Sequence, residues 1–261
     1  MSNRLYPYQS EYVKDNSRLI IVNKSRQIGY STVIAYKAIK ECYFNNTNQL
    51  LVSSSQRQAN NLMSYVENIL EKNYYTKGVK LKKDSQTQKT FDNGKSIYSL
   101  PAKPETIRGF SGSITLDEFA LCKDDDKILE ALMPSISSRA KYSLSICSTP
   151  LGCSNKFHSI FTDNLKYPDF NRKQIDCYKA IEQGCNINLD LIRNNFDEDS
   201  FRQEFECGFL DESTSFFPYD LLKSCIDDDY TNIHGRSCMG IDIGRTNDKT
   251  GIAIVTESKG K

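Results

Sequence analysis

The sequence has 261 residues, of which 26% are charged and 38% hydrophobic, and its formal net charge is +1. These values fit a globular protein with one large domain, or one domain and part of a second. No apolar run reaches the roughly 18 residues of a transmembrane helix, and no apolar signal segment follows Met1, so neither a membrane partner nor secretion is expected. The near-zero net charge excludes a uniformly basic chain, so any contact with DNA requires a local basic patch.

The cysteines predict a reduced protein. Nine cysteines and only two histidines are present, without metal-ligand spacing. An odd count of this kind is typical of free thiols in a cytosolic protein. Cys147, Cys153 and His158 are near one another in the sequence, but buried thiols account for them better than a zinc site does.

The first informative segment is residues 5–9, where Tyr8 and Gln9 follow Pro7. The fixed φ of Pro7 predicts an extended entry into this segment. The side-chain amide of Gln9 donates and accepts together, which matches the N6/N7 edge of adenine. An ordinary helix start packed by tyrosines is the alternative interpretation.

Residues 23–32 form the central motif of the chain. An apolar run at 19–22 predicts a strand, and the pattern at 33–43 predicts a helix. The polar loop between them, at 23–32, has the layout of a phosphate-binding loop. Backbone N–H groups in such a loop, together with the helix N-terminus, attract a polyphosphate.

The loop departs from the usual pattern G-x-x-x-x-G-K-[ST] at two positions. Lys24 replaces the first glycine, and Tyr30 replaces the lysine. Ser31 still stands where a hydroxyl can hold Mg²⁺ at the helix start. The alternative is a plain strand–helix turn capped by serine or threonine.

Residues 49–73 repeat the strand–helix pattern, which predicts a parallel sheet. The segment 77–100 is different, because its Asn93-Gly94 pair lies between alternating stretches and predicts a β-hairpin within or at the edge of the sheet. This basic region suits either contact with DNA or a solvated edge that resists aggregation. Its lysines are Lys77, Lys80, Lys82, Lys83, Lys89 and Lys95.

A short apolar strand at 113–116 ends in two carboxylates, Asp117 and Glu118. In a nucleotide-hydrolysing site, the first carboxylate at a strand end orients Mg²⁺ and the second polarises a water. Alternatively, the pair caps the helix predicted at 125–136. The phosphate-binding loop upstream favours the hydrolytic interpretation.

One more strand, at 142–147, is followed by Ser148, Thr149 and Pro150. Polar residues at the carboxyl edge of a parallel sheet face the ligand crevice, so Ser148 or Thr149 is predicted to sense a terminal phosphate. A plain turn at Pro150 is the alternative.

The order of these motifs resembles the large terminase subunit of tailed phages, the motor that packages DNA into capsids. In that family the basic residue often lies at the front of the loop, and the loop at 24–32 resembles this variant. The segments at 107–120 and 148–152 resemble its hydrolysis and coupling motifs, and Tyr8-Gln9 resembles its adenine-contacting motif. Three later segments also resemble parts of that family. The segment 201–209 resembles the one that closes its ATPase domain, and 216–219 resembles the passage into its linker. The segment 239–245 resembles the first strand of its ribonuclease-H-like nuclease.

The resemblance implies an α/β fold, namely a P-loop (RecA/ASCE-like), mostly parallel sheet flanked by helices and followed by a truncated ribonuclease-H-like β-hairpin. It implies an ATPase domain at 1–212, a linker at 213–234 and the incomplete start of a nuclease domain at 235–261. Asp242 is the candidate metal ligand there. One carboxylate cannot hold two metal ions, so nuclease activity is not expected from this chain.

The resemblance also implies ATP and Mg²⁺ as cofactors. Glu118 would activate water, and Ser31 and Asp117 would position Mg²⁺. Arg26 or Lys24 would neutralise charge on the β- and γ-phosphate oxygens, as expected of P-loop enzymes. The predicted nucleotide contacts lie on the loop and on two neighbouring motifs: Gln9, Lys24, Arg26, Gln27, Gly29, Ser31, Thr32 and Thr149.

The implied partners are double-stranded DNA, a homo-oligomeric ring on a portal protein, and the small terminase subunit, at a procapsid in the host cytoplasm. In such a ring a neighbouring subunit can supply an arginine, for which Arg57, Arg108 and Arg139 are candidates. Two alternatives remain open. One is another P-loop DNA-dependent ATPase, similar to a helicase. The other is a degenerate, non-hydrolysing assembly protein. This alternative is supported by Tyr30, which occupies the position of the usual loop lysine.

Overall fold

The computed structural model describes residues 5–72, 78–210, 235–243 and 251–256. The chain divides into two compact units, Met1–Ser213 and Thr214–Lys261. The assignment of these units to an ATPase domain and a nuclease start stays a prediction, and the predicted linker at 213–234 and Lys77 lie outside the described residues. Within the described ranges, no helix is long and apolar enough to cross a membrane.

The larger unit alternates strands and helices along the chain. Its strands are β1 (Leu19–Lys24), β2 (Gln49–Ser53), β3 (Leu81–Ser85), β4 (Gln88–Phe91), β5 (Ser96–Pro101), β6 (Ser113–Asp117), β7 (Leu144–Ser148) and β8 (Asn171–Ile175). Its helices are α1 (Pro7–Lys14), α2 (Tyr30–Ile39), α3 (Gln56–Lys72), α4 (Pro104–Ile107), α5 (Asp125–Ser137), α6 (Lys156–Thr162), α7 (Cys177–Glu182), α8 (Leu189–Arg193) and α9 (Glu198–Glu204).

The eight strands form one sheet in the order β3-β4-β5-β2-β6-β7-β1-β8. The six strands from β5 to β8 in this order are parallel, and β3 and β4 are antiparallel additions at one edge. Nearly all residues of β1, β2, β6 and β7 are buried, because helices cover both faces of the sheet, as is usual for parallel strands. The predicted α/β fold with a mostly parallel sheet is confirmed.

Two apolar cores lie on opposite faces of this sheet. On one face Val22 and Leu51 pack with α1, α2 and α3. On the other face Ile21, Leu116 and Ile146 pack with α5 and α6. Because successive strand residues point to opposite faces, neighbours such as Ile21 and Val22 contribute to different cores.

Two helices differ in detail from the sequence prediction. Pro7 is the first residue of α1, where its missing N–H costs nothing, and the extended residue is Tyr6 before it. A helix therefore begins within residues 5–9, which is compatible with both interpretations of this segment. The α2 helix ends at Ile39, and a π-helical turn, Lys40–Phe44, continues it over the rest of the predicted helix.

The predicted hairpin is present as β4 and β5, with Gly94 at a φ of 78° in its turn. Lys89 is not part of an exposed basic surface as predicted, because its side chain is only 3% exposed. Its ammonium lies 2.5 Å from Glu67 on α3 and also contacts Asp84 on β3. A buried lysine requires such partners, so Lys89 joins the hairpin to α3 and is not available to DNA.

Gly112 is required by a close backbone approach before β6. A Cβ atom at this position would lie 2.5 Å from the carbonyl oxygen of Asn48. We expect Gly112→Ala to lower the free energy of unfolding by about 1–3 kcal/mol, as overpacking does. The measurement is the urea midpoint of each variant. Gly109→Ala is the control, because a Cβ there meets its nearest atom at 4.0 Å. Equal midpoints for the two variants would contradict the steric argument.

The smaller unit contains the antiparallel strands β9 (Ser237–Asp242) and β10 (Gly251–Thr256). Its described residues are almost all exposed. A β-hairpin in this region is what the sequence predicted, and its ribonuclease-H-like identity stays a prediction.

Candidate functional site

The candidate site lies where the carboxyl ends of β1, β6 and β7 meet. These three strands are neighbours in the sheet, with β7 between the other two. The loop at 25–29 leaves β1 at this edge and leads into α2. The structure therefore brings Lys24, Asp117, Glu118 and Thr149 together, although they come from three separate segments of the chain.

The loop turns sharply because two of its residues have left-handed backbone conformations, Gln27 with φ 58° and Gly29 with φ 72°. Gln9 of α1 stabilises the loop, because its side-chain amide donates to the carbonyls of Ile28 (3.2 Å) and Gly29 (3.3 Å). The side-chain oxygen Oε1 of Gln9 accepts from the backbone N–H of Tyr6 at 3.1 Å. In this structure Gln9 thus supports the loop, and its contact with adenine stays a prediction.

Lys24 makes a short polar contact with Glu118. Its ammonium lies 2.7 Å from Oε1 of Glu118, while its side chain is only 7% exposed. Burial disfavours the charged ammonium, but the carboxylates of Asp117 and Glu118 outweigh burial and raise the pKa of Lys24 above its ordinary value. The ammonium is therefore charged at neutral pH and faces both acids.

Glu118 is held on both of its carboxylate oxygens. Oε1 accepts from Lys24, and Oε2 accepts from the backbone N–H of Thr149 at 3.4 Å and from its hydroxyl at 3.3 Å. The backbone of Glu118 has a φ of 53°, a left-handed conformation that residues other than glycine adopt mainly at turns and functional sites. This fixed carboxylate at the end of a strand can accept a proton from a bound water.

Asp117 is the last residue of β6 and is 7% exposed. Burial raises the pKa of its carboxyl group and the nearby Glu118 raises it further, while Lys24 lowers it, with a result of about 6. A nearby cation would favour the ionised form. The alternative that Asp117 and Glu118 cap the helix predicted at 125–136 is wrong, because the N-cap residue of α5 is Asp124. Glu118 precedes only a short 3-10 turn, Phe119–Leu121, and its side chain makes no capping hydrogen bond there.

The loop residues differ in how far they reach into the site. Ser31 and Thr32 are half-buried in the first turn of α2. Arg26 is more peripheral, since its side chain is 56% exposed and its Nε lies 3.4 Å from Oε2 of Glu204. Tyr30 points away from the site into the core, where its ring centroid is 5.2 Å from that of Tyr12. The position of the usual loop lysine is therefore a core position in this chain.

The C-terminal end of α9 and the residues after it contact β1, the loop and the segment after β7, which sequence reasoning missed. The N–H of Arg26 donates to the carbonyl of Glu204 at 2.9 Å, and the Asn23 amide donates to the carbonyl of Cys207 at 2.9 Å. Gly152, after β7, donates to the side chain of Gln203 at 3.1 Å. The only signal in the sequence was the family resemblance of 201–209, which indicated that this segment closes the domain but gave none of these contacts.

Two other sets of candidates come from the sequence, a zinc site around Cys147 and three arginines for a neighbouring subunit. Cys147 is buried and contacts the Tyr12 hydroxyl, and across the described ranges no group of three or more His, Cys, Asp and Glu side chains could hold a metal ion. Arg57, Arg108 and Arg139 are all exposed, and their contribution to a neighbouring subunit stays a prediction.

Asp242 is the exposed last residue of β9, so its carboxylate has no assembled metal-binding environment in the described part of the chain. We expect the purified chain to leave plasmid DNA uncut in Mn²⁺, because a single carboxylate does not align a water and a leaving oxygen. Agarose gel electrophoresis provides the measurement, with Asp242→Ala as the control. Cutting by the original chain that this substitution removes would contradict the prediction.

Comparison with known proteins places this arrangement in a family. The family model described as "Terminase large subunit, T4likevirus-type, N-terminal" matches residues 21–224. A "Probable terminase, ATPase subunit" of Haemophilus phage HP1 is 24% identical over 85% of this chain. The chain spans only 40% of the length of that curated relative.

Solved structures are similar in fold. The HK97 bacteriophage large terminase has a TM-score of 0.69 and 18% identity, covering 98% of this chain and 61% of its own. The large terminase of a thermophilic bacteriophage, solved in complex with ADP, has a TM-score of 0.63 and 14% identity, covering 98% of this chain and 66% of its own. These similarities, with the strand order, confirm the predicted RecA-like fold.

Proposed function

Because this chain belongs to the T4likevirus-type terminase large subunit family, we propose that it binds and hydrolyses ATP as part of a phage DNA-packaging motor. The observation that carries the proposal is the pair of contacts on Glu118, with the Lys24 ammonium at 2.7 Å on one oxygen and Thr149 on the other. A cation, a strand-end carboxylate and a polar sensor beside a phosphate-binding loop are the parts that phosphoryl transfer to water requires.

The protein groups have separate roles in this proposal. The loop and the N-terminus of α2 position the polyphosphate. Lys24 stabilises negative charge on the phosphate oxygens, and Glu118 accepts the proton of the attacking water. Thr149 contacts Glu118 and lies three residues before Gly152, whose N–H donates to Gln203 of α9; these contacts support a role for Thr149 in transmitting the state of the terminal phosphate.

The oxygen ligands at this edge fit Mg²⁺. Carboxylate and hydroxyl oxygens are the ligands that this hard cation prefers, and Asp117 and Ser31 supply one of each. When bound there, Mg²⁺ would neutralise charge on the β- and γ-phosphates.

Lys24 is favoured over Arg26 as the main loop cation. Lys24 is buried against both acids, whereas Arg26 is more than half exposed and pairs with Glu204. Arg26 keeps an auxiliary role in charge stabilisation. The other predicted nucleotide contacts are retained in the proposal: Gln9, Gln27, Gly29 and Thr32.

The family also supports proposals about the whole assembly. Double-stranded DNA would be the substrate that is moved into a procapsid in the host cell. The motor would be a ring on a portal protein, served by the small subunit. In this proposal the larger unit is the ATPase domain and the smaller unit begins the nuclease domain.

The test is phosphate release from ATP by the purified chain, with and without Mg²⁺ and double-stranded DNA. We expect turnover that EDTA abolishes and that DNA increases. Tight ATP binding without any phosphate release would favour the non-hydrolysing assembly protein instead. Unwinding of a tailed duplex would favour the helicase-like enzyme.

A further inference from the structure

One buried hydroxyl beside the acidic strand end has no role in the site as described so far. Ser53 is the last residue of β2 and is 1% exposed. Its Oγ has no hydrogen-bond partner among the described residues. A buried hydroxyl without a partner costs free energy, so a group outside the protein chain is expected to satisfy it.

Comparable serines at or near the carboxyl ends of strands in this sheet do have partners. The Ser148 hydroxyl, at the end of β7, accepts from the N–H of Ala120 and donates to the carbonyl of Thr149. The Ser99 hydroxyl on β5 donates to Asn60. The unpaired state of Ser53 is therefore not a general feature of serines near this edge of the sheet.

The register of the sheet places Ser53 next to Asp117. Ser53 on β2 is the direct partner of Asp117 on β6. Neighbouring residues in register on parallel strands present their side chains to the same face. Leu51, two residues before Ser53, packs in the core that includes α2, so this is the face on which α2 begins with Ser31 in its first turn.

We propose that Ser53 is a positioning residue of the cation site, and that its hydroxyl hydrogen-bonds the hydration shell of the Mg²⁺ held by Asp117 and Ser31. This inference rests on the proposed function. Mg²⁺ usually keeps several of its waters when one or two carboxylates and a nucleotide hold it. A hydroxyl beside the carboxylate is placed to orient one such water, and groups in this outer position tune metal affinity.

The experiment measures binding of Mn²⁺, a paramagnetic substitute for Mg²⁺, to the chain saturated with ADP. Free Mn²⁺ is counted by electron paramagnetic resonance. We expect Ser53→Ala to weaken Mn²⁺ binding by about 10-fold, in line with the loss of other outer-shell partners. Ser53→Thr keeps the hydroxyl and should restore most of the affinity. Ser54→Ala is the matched control, because the Ser54 hydroxyl contacts Gln58 instead.

Two further readouts separate positioning from structure. Without metal, Ser53→Ala should have an unchanged ADP affinity. Its Tm should be equal to the original value or up to about 4 °C higher, because an unpaired buried hydroxyl is removed. A merely structural serine would instead lower the Tm and the ADP affinity together when replaced.

Unchanged Mn²⁺ affinity in Ser53→Ala would overturn the inference and leave the proposed function intact. It would mean that the hydroxyl binds only a structural water. Loss of affinity in Ser53→Thr equal to that in Ser53→Ala would also overturn it. Failure of the original chain to bind ADP with Mn²⁺ would instead contradict the proposed function itself.

Discussion

Glu118→Gln is expected to lower kcat for ATP hydrolysis by about 10² or more while nucleotide binding is largely kept. Glutamine has the size of glutamate but cannot accept the proton of the attacking water. Its side-chain oxygen can still accept from Thr149, so the sensor segment should stay in place. Phosphate release gives kcat, and titration with a fluorescent ATP analogue gives the affinity.

Glu130→Gln is the control for this variant, because Glu130 is an exposed residue of α5 away from the strand end. It should hydrolyse ATP at the original rate. Near-original turnover in Glu118→Gln would remove Glu118 from the mechanism. A loss of nucleotide affinity as large as the loss of kcat would mean that Glu118 shapes the site and does not act as the base.

Lys24→Met is expected to have the broadest effect, because it removes the ammonium and keeps most of the side-chain volume. Nucleotide affinity should fall by about 10- to 100-fold, as the loss of one charged hydrogen bond implies. The stability should also fall, by about 3 kcal/mol, because Asp117 and Glu118 lose their cation. This value is the low end for a broken buried pair, since Glu118 is 25% exposed.

A double variant separates the two effects of Lys24. In Lys24→Met combined with Glu118→Gln, the unpaired carboxylate at position 118 is gone, so part of the lost stability should return. Hydrolysis should stay absent, since both the cation and the base are missing. Urea unfolding and phosphate release measure the two quantities. Strictly additive losses of stability would contradict the pairing of Lys24 with Glu118.

The sequence predicted those parts of the site that are local in the chain. The apolar run of β1, the polar loop and the helical pattern of α2 follow one another without interruption, so their order predicts the layout of a phosphate-binding loop, which the later motifs favour over a plain capped turn. The acids Asp117 and Glu118 were found in the same way, because they end a short apolar strand.

The contacts that depend on tertiary structure could not be predicted from the sequence. Lys24 and Glu118 are 94 residues apart, and only the sheet order brings β1 and β6 to either side of β7. The sequence therefore leaves the choice between Lys24 and Arg26 open, because the difference in their burial depends on the tertiary structure. Lys89 is a similar case, since nothing local indicates that Glu67 and Asp84 bury it.

Tyr30 illustrates the same limit for the loop itself. Its mismatch with the usual lysine suggested a degenerate site. In the structure its ring packs against Tyr12, so the residue serves the core and the buried Lys24 stands at the site instead. The resemblance to the terminase family already indicated a basic residue at the front of the loop, but the burial of Tyr30 depends on tertiary packing that a single position does not reveal.

Hydrogen–deuterium exchange with and without ADP and Mg²⁺ tests the central claim most directly. If the loop between β1 and α2 holds the phosphates, the amides of residues 27–32 should exchange more slowly with nucleotide, because their N–H groups then donate to phosphate oxygens. Residues 117–118 and 149 should be protected to a smaller extent. Nucleotide binding with protection confined to other segments, or with none in this loop, would contradict the account.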